Sequence, residues 1–174
     1  MRVTCFLSSF LLGCLLSSAQ SFQKVPLRKI IAEAPNDFSA FKGELNTASE
    51  DDSFYSSTVT IEGSKNNEIS QLQGRLTQYH AYIADSANKK KAKSLVEEWR
   101  GKIKATSPGY LEEPVNSQVQ KRTTKGYRFS KVIDRELYSI SIVYSKREID
   151  NYYWVLLTIT RQGKAVLDDE VRSE

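Results

Sequence analysis

The fold of this chain is decided by residues 138–161, which read YSISIVYSKREIDNYYWVLLTITR. Apolar and polar residues alternate from Tyr138 to Tyr144, and after a polar break at 146–151 the alternation resumes and continues to Thr160. A period of two, carried by β-branched and aromatic residues, is typical of antiparallel strands that bury one face. This stretch therefore predicts a long β-hairpin, and the remainder of the chain is expected to cover its apolar face.

Two helices are predicted before this hairpin, because apolar residues recur there at helical spacing. The first helix begins at Pro26 and ends at Pro35, and its apolar stripe comprises Leu27, Ile30, Ile31 and Ala34. The second helix is capped by Asp85 or Ser86 and ends at 107–109. Its apolar stripe comprises Ala92, Leu95, Val96, Trp99 and Ile103.

Three shorter segments, at 54–61, 76–84 and 126–133, are predicted as strands because they are rich in β-branched and aromatic residues. Segment 76–84 also fits a helical stripe, so both assignments stay open for it. Segment 44–53 is polar and is predicted as a loop. Segment 110–125 has no clear period, which predicts either a functional loop or a stretch packed along the sheet.

The predicted element order is α-β-β-α-β-β-β, with the last three strands in a meander. Helices packed against one face of an antiparallel sheet make a two-layer arrangement. The fold class predicted from the sequence is therefore α+β, with about five strands in the sheet and both helices on one of its faces. Residues 20–174 are expected to form this single domain, because their number is typical of one domain.

Residues 1–19 are typical of a secretory signal peptide. The positive start Met1-Arg2 is followed by an apolar run, and small residues then precede a cleavage site after Ala19. Cleavage there predicts an exported chain that begins at Gln20 and is located in the periplasm or outside the cell. The apolar run is too short to span a membrane, and no later stretch reaches the ~20 apolar residues that a spanning helix needs.

Cys14 leaves a second interpretation open. The residues 11–14, Leu-Leu-Gly-Cys, resemble a bacterial lipobox, in which the cysteine is lipidated and becomes the new N-terminus. Lipidation of Cys14 would tether the protein to a membrane, whereas cleavage after Ala19 would leave a chain without cysteine, since Cys5 is the only other one. Both interpretations predict an exported domain that is held together by its core and not by disulfides.

His80 is the only histidine of the chain, and no G-x-S-x-G elbow accompanies it, so Ser-His-Asp chemistry is not predicted. Cleavage after Ala19 removes every thiolate ligand for zinc, and the acidic clusters 51–52 and 168–170 lack calcium-loop spacing. A glycine-rich phosphate loop is absent as well. No catalytic residue, metal or cofactor is therefore predicted, and the chain is not expected to be an enzyme.

Basic residues gather in two groups, at 89–93 and at 121–128. The first group by itself is typical of the polar side of an amphipathic helix. If both groups lie along one edge, they form a surface that suits an anionic polymer or a lipid headgroup. The net charge of +4, one less without Arg2, is too small to predict nucleic-acid binding.

The second face of the predicted hairpin is the surface that the sequence singles out for binding. Its candidate ligand-binding residues are Arg128, Ser139, Ser141, Tyr152 and Trp154. Hydroxyl groups on the free face of a two-layer sheet commonly meet only water. Large aromatic side chains beside hydrogen-bonding groups, however, suit a protein contact or a stacked sugar.

Together these features predict a noncatalytic, exported module of the cell envelope that binds a protein or polysaccharide partner. Two alternatives stay open. One is a small glycan hydrolase that uses carboxylates alone, which paired acids projecting into one cleft would favour. The other is an accessory subunit of a larger envelope complex.

Overall fold

The computed structural model describes residues 23–73, 76–119 and 122–163. The predicted signal peptide, its cleavage site and Cys14 lie outside these residues, as does the acidic cluster 168–170. Within the described ranges the chain forms ten strands, two α-helices and two 3-10 turns. In this part of the chain, no helix has both the length and the apolar character needed to cross a membrane.

The bounds of the elements follow the chain from residue 23 to residue 162. The strands are β1 (Gln23–Val25), β2 (Lys42–Ala48), β3 (Asp52–Ser57), β4 (Val59–Ile61), β5 (Asn66–Leu72), β6 (Leu76–Ala87), β7 (Leu111–Val119), β8 (Arg122–Ile133), β9 (Glu136–Lys146) and β10 (Tyr153–Gln162). The helices are α1 (Leu27–Glu33) and α2 (Lys89–Thr106). The 3-10 turns Ala34–Asn36 and Ser39–Phe41 follow α1.

Eight of these strands form one antiparallel sheet in the order β2-β3-β5-β6-β10-β9-β8-β7. The order has a simple origin, because each half of the sheet is a meander of strands that follows one helix. The last strands of the two meanders, β6 and β10, pair with each other at the centre. Strands β1 and β4 form a separate two-stranded parallel sheet.

The predicted fold class, a two-layer α+β arrangement with about five strands, was wrong. Strands make up 58% of the described residues, and the main sheet contains eight of them. The chain is therefore mostly β. Segment 44–53, which was predicted as a loop, contains most of β2. Segment 110–125, which was predicted as either a functional loop or a stretch packed along the sheet, contains all of β7.

The missed strands lack the alternation of apolar residues on which the prediction depended. Strands β2 and β7 are the two edges of the sheet, and none of their described side chains is buried. Pro114 of β7 fits an edge position, since proline has no N–H to give to a central ladder. Strand β5 has one buried apolar side chain, Ile69, whereas its other buried residues are Asn67 and Ser70.

The hairpin predicted from residues 138–161 is confirmed. Strands β9 and β10 pair without a register shift, so that Ile140 lies opposite Ile159 and Ile142 lies opposite Leu157. Ile140 and Leu157 are 1% and 0% exposed. The predicted alternation thus sends one set of side chains of this hairpin into the core.

Helix α2 lies across this apolar side, which we call the covered face of the sheet. The buried residues of the helix are Ala92, Val96, Trp99 and Ile103, as its predicted stripe indicated. The helix begins later than predicted, because β6 continues to Ala87 and Asn88 provides the cap. The side-chain oxygen of Asn88 accepts a hydrogen bond of 2.9 Å from the backbone N–H of Lys91.

Segment 27–41 extends the core beyond α2 and is tied to the sheet by Arg161. Phe38 is fully buried, and its ring centroid lies 5.7 Å from that of Tyr79 on β6. The guanidinium of Arg161 contacts Asp37 at 2.6 Å and Glu136 at 2.9 Å. Asp37 adopts a left-handed backbone conformation with φ of 55°, so these contacts hold a turn that few residues other than glycine and asparagine or aspartate favour.

Gly126 of β8 and Gly101 of α2 provide a matched test of this packing. A Cβ at position 126 would collide with the carbonyl oxygen of Ile142 and lie 2.7 Å from Cα of Val143. We expect Gly126→Ala to lower the free energy of unfolding by about 1–3 kcal/mol, as overpacking does. Position 101 has no atom within 4 Å of a built Cβ, so we expect Gly101→Ala to raise it by roughly 0.5–1 kcal/mol.

Urea-induced unfolding of the two variants and the wild type measures both changes. An unchanged unfolding midpoint for Gly126→Ala would contradict the close approach of β8 to β9.

Candidate functional site

The face of the sheet opposite α2, which we call the open face, has no layer over it within the described chain. The buried apolar residues of both helices, of the adjoining turns and of β1 and β4 all belong to the core cluster on the covered face. The open face carries the candidates that the sequence predicted on β8 and β9, namely Arg128, Ser139 and Ser141. The open face is therefore the candidate binding surface.

Cross-strand pairing arranges the side chains of the open face in rows. The central row runs across five strands and contains Glu68, His80, Thr158, Ser141 and Arg128. The next row contains, in the same strand order, Ser70, Gln78, Thr160, Ser139 and Ser130. We call these ten residues the polar band, and its five strands span roughly 19 Å at the usual strand spacing.

Apolar side chains flank the polar band at both ends of the strands. On one side the next row contains Leu72, Leu76, Leu137 and Val132, interrupted by Gln162 of β10. On the other side the next row contains Tyr82, Leu156 and Val143. Most of these side chains are half-buried, and Val132 is 60% exposed. The open face therefore offers hydrogen-bonding groups between two apolar margins.

One half of the polar band is hydrogen-bonded within itself. His80 Nε2 lies 3.0 Å from Ser70 Oγ, and its Nδ1 lies 3.3 Å from Thr158 Oγ1. Gln78 Nε2 donates to Thr160 Oγ1 at 3.4 Å. Beside the band, the hydroxyl of Tyr82 donates to Glu68 at 3.1 Å. The side chains of β5, β6 and β10 therefore hold one another in place.

His80 does not form a catalytic triad with these hydroxyls. A triad needs a carboxylate on the second ring nitrogen to orient and stabilise the imidazolium, whereas His80 has Thr158 there. Ser70 is 1% exposed, so its hydroxyl is out of reach of a substrate. Burial lowers the pKa of His80, while the neighbouring charge of Glu68 acts in the opposite direction.

The other half of the polar band, on β8 and β9, has groups that the described chain leaves unused. The hydroxyls of Ser130, Ser139 and Ser141 form no hydrogen bond with any described residue, although all three side chains are half-buried. Arg128 is exposed and has no ion pair among the described residues. These four residues supply the donors and acceptors that are available to a ligand.

The two predicted aromatic candidates lie apart from the polar band. Trp154 is half-buried opposite Ser145, where the register between β6 and β10 shifts. It is four residues from Thr158, which is roughly 13 Å along a strand. Tyr152 is 49% exposed and precedes β10, so the alternation of that strand does not place it. The structure thus brings together Arg128, Ser139 and Ser141 but not the two aromatic residues.

Sequence reasoning missed the contributions of β5 and β6 to this face. Glu68 and Ser70 lie on β5, which was not predicted as a strand because its buried positions are mainly polar. His80 meets Thr158 although the two residues are 78 positions apart, since β6 pairs with β10. Period-two alternation identifies a strand but not its neighbour, so no sequence signal indicated this contact.

The described residues contain no group of three or more histidine, cysteine, aspartate or glutamate side chains that would hold a metal ion. Neither a protein-family model nor a curated protein sequence matches this chain. Its function is therefore inferred from the geometry of its surfaces.

The position of His80 predicts a dependence of stability on pH. Its pKa is lowered in the folded protein, whereas the unfolded chain takes up the proton near pH 6.5. The contribution of His80 to stability is therefore complete above about pH 6.5 and is lost as the pH falls towards the folded pKa. We expect the free energy of unfolding to fall between about pH 7.5 and 5.5 in the wild type, and to fall less in His80→Gln.

Urea titrations at several pH values measure this difference, and each variant is compared with itself at the higher pH. Parallel pH profiles for the wild type and His80→Gln would show that His80 is not the titrating group.

Proposed function

We propose that the protein is an exported, noncatalytic module of the cell envelope, and that its open face binds a protein partner. The observation that supports this proposal is an uncovered face of an eight-stranded sheet, on which a polar band lies between two apolar margins. We include export in the proposal because residues 1–19 are predicted to be a signal sequence.

The size of the open face favours a protein over a small ligand. Eight strands at the usual spacing span roughly 34 Å, and the rows from Leu76 to Tyr82 span roughly 20 Å along the strands. The product, roughly 700 Å², is close to the about 800 Å² that each partner contributes to a standard protein–protein interface. The half-buried apolar margins supply the nonpolar part of such an interface.

The unused groups on β8 and β9 indicate which part of the open face would form hydrogen bonds with a partner. Ser139 and Ser141 on β9 lie beside Ser130 and Arg128 on β8, so three hydroxyls and one guanidinium occupy adjacent positions. An interface typically forms one hydrogen bond per 100–200 Å², so a few such groups are enough for a face of this area. We therefore expect the hydrogen bonds of the contact to form mainly over β8 and β9, to one side of the central pair β6 and β10.

A stacked sugar is less well supported than a protein partner. Sugar recognition combines an aromatic ring with hydrogen-bonding groups at short range. Trp154 lies roughly 13 Å along β10 from the central row, so the ring and the polar band do not converge on one sugar. A polysaccharide partner is therefore less favoured, and binding to a glycan array would distinguish it from a protein partner.

The alternative of a carboxylate-dependent hydrolase is not favoured by the two glutamates in line with the central row. The central row ends in Glu68 on β5, and Glu113 on β7 follows Arg128 at its other end. Five strand intervals separate the two glutamates, which is roughly 24 Å. Paired glycosidase carboxylates are about 5–9.5 Å apart.

An accessory subunit of an envelope complex would use the open face in the same way as the proposed module.

Ser139→Arg tests the proposal by placing a long charged side chain in the polar band. The matched control is Ser94→Arg, on the exposed side of α2. We expect a stoichiometric protein partner to co-purify with the wild type and with Ser94→Arg from envelope extracts of the cells that make the protein. We expect Ser139→Arg to weaken the isolated complex at least about tenfold, because the long side chain would hold the partner away from the hydroxyls on β8 and β9 and leave them unpaired.

Thermal unfolding of both variants shows whether each is folded. Equal retention of the partner by Ser139→Arg and Ser94→Arg would remove the open face from the proposal. If no protein partner is found, and the wild type and Ser94→Arg bind a glycan array but Ser139→Arg does not, the partner of the open face is a polysaccharide.

A further inference from the structure

A second surface lies on the covered side of the sheet, in a groove between α2 and strands β8 and β9. Two adjoining clefts, of about 350 Å³ and about 360 Å³, make up this groove. Both are lined by Lys93, Lys125 and Tyr144, so they are continuous. The groove brings together part of each basic group that the sequence showed at 89–93 and 121–128.

Next to one end of the groove, where Glu97 and Tyr127 line it, the positive charges are matched by carboxylates. Arg100 of α2 contacts Glu112 of β7 at 2.6 Å and Glu97 at 3.2 Å. Lys104 contacts Glu112 at 2.9 Å, and the hydroxyl of Tyr127 donates to Glu97 at 2.8 Å. These contacts pair the charges between α2 and the sheet edge at this end.

At the other end the positive charges have no such partners. The cleft there is lined by Lys89, Lys93, Lys125 and Lys146, together with Thr123, Tyr144 and Tyr153. None of the four lysines forms an ion pair with a carboxylate of the described residues. The nearby acids are engaged elsewhere, since Asp85 contacts Lys65 and Glu148 contacts Arg122.

We infer that the lysine end of this groove binds a ligand that carries two phosphate groups. Four exposed lysines that line one cleft give it a positive potential, which favours an anion between them. Two phosphate monoesters carry about −3 to −4 at neutral pH, which matches four lysines. Lysine binds phosphate as a point charge, whereas planar carboxylate recognition favours arginine, which does not line this cleft.

Two tyrosines provide the remaining wall for such a ligand. Tyr144 is 8% exposed and Tyr153 is half-buried, and their ring centroids are 5.9 Å apart. Neither hydroxyl is bonded to a side chain or backbone group that the structure describes. The cleft volume lies within the range typical of small-molecule sites, so the cleft has room for an organic part beside the phosphates.

Phosphate groups of this kind come either from a soluble phosphorylated compound or from a phospholipid headgroup. Both sources present the same charges to the lysines, and experiment distinguishes them. The groove lies on the face of the sheet opposite to the proposed protein contact, so the two proposals succeed or fail separately.

The test compares two double variants that remove the same charge from the same two elements. Lys93→Gln with Lys125→Gln removes two lysines that line the groove, one on α2 and one on β8. The control, Lys90→Gln with Lys131→Gln, removes one exposed lysine from each element away from the groove. Calorimetric titration with inorganic pyrophosphate should show binding to the wild type, at least about tenfold weaker binding to the groove variant, and a change within about twofold in the control.

Flotation with phosphatidylcholine vesicles, with and without phosphatidylinositol phosphate, whose headgroup carries two phosphate groups, identifies the source of the phosphates. If pyrophosphate displaces the wild type from the acidic vesicles, and the groove variant does not bind them, the site is assigned to a lipid headgroup. Pyrophosphate binding without vesicle binding assigns it to a soluble phosphorylated ligand.

Removal of the two groove lysines should not lower the thermal unfolding midpoint, because it relieves repulsion between like charges. The inference is overturned if neither probe binds the wild type, or if both double variants lose affinity equally.

Discussion

The pairing of β6 with β10 is the contact on which the whole sheet depends. Each half of the described chain is a meander behind a helix, and these two strands are the only point at which the meanders join in the described sheet. Tyr79 lies opposite Ile159 and Ala81 lies opposite Leu157, all of them 2% exposed or less. Every row of the open face crosses this seam, so the polar band exists only because the two halves are in register.

The alternation of side chains along the strands then gives the two faces different chemistry. On the covered face, α2 supplies both the apolar stripe that closes the core and the lysines that line the groove. On the open face, hydroxyls and amides occupy the central rows, and larger apolar side chains occupy the margins. A single two-residue period therefore separates a hydrophobic core from a surface that is suited to contact.

The sequence predicted the hairpin of β9 and β10 and the apolar stripe of α2, since burial of these elements depends on regularly spaced apolar residues. It did not predict β2 and β7, whose edge positions leave their side chains exposed, or β5, whose buried residues are mainly polar. The α+β fold class was wrong for that reason. Of the candidate site, Arg128, Ser139 and Ser141 followed from the alternation, whereas the neighbours of His80 required a pairing between distant segments.

Pro114 lies on β7, the outermost strand of one half, beside Glu112 and Glu113. Prolines in edge strands take positions whose nitrogen faces solvent, so an incoming strand finds no donor there. The adjacent glutamates add charge to the same edge, which opposes the stacking of strands from separate molecules. Fibril-like extension of the sheet is therefore disfavoured at the β7 edge, and the broad uncovered face does not bring with it a risk of polymerisation through that strand.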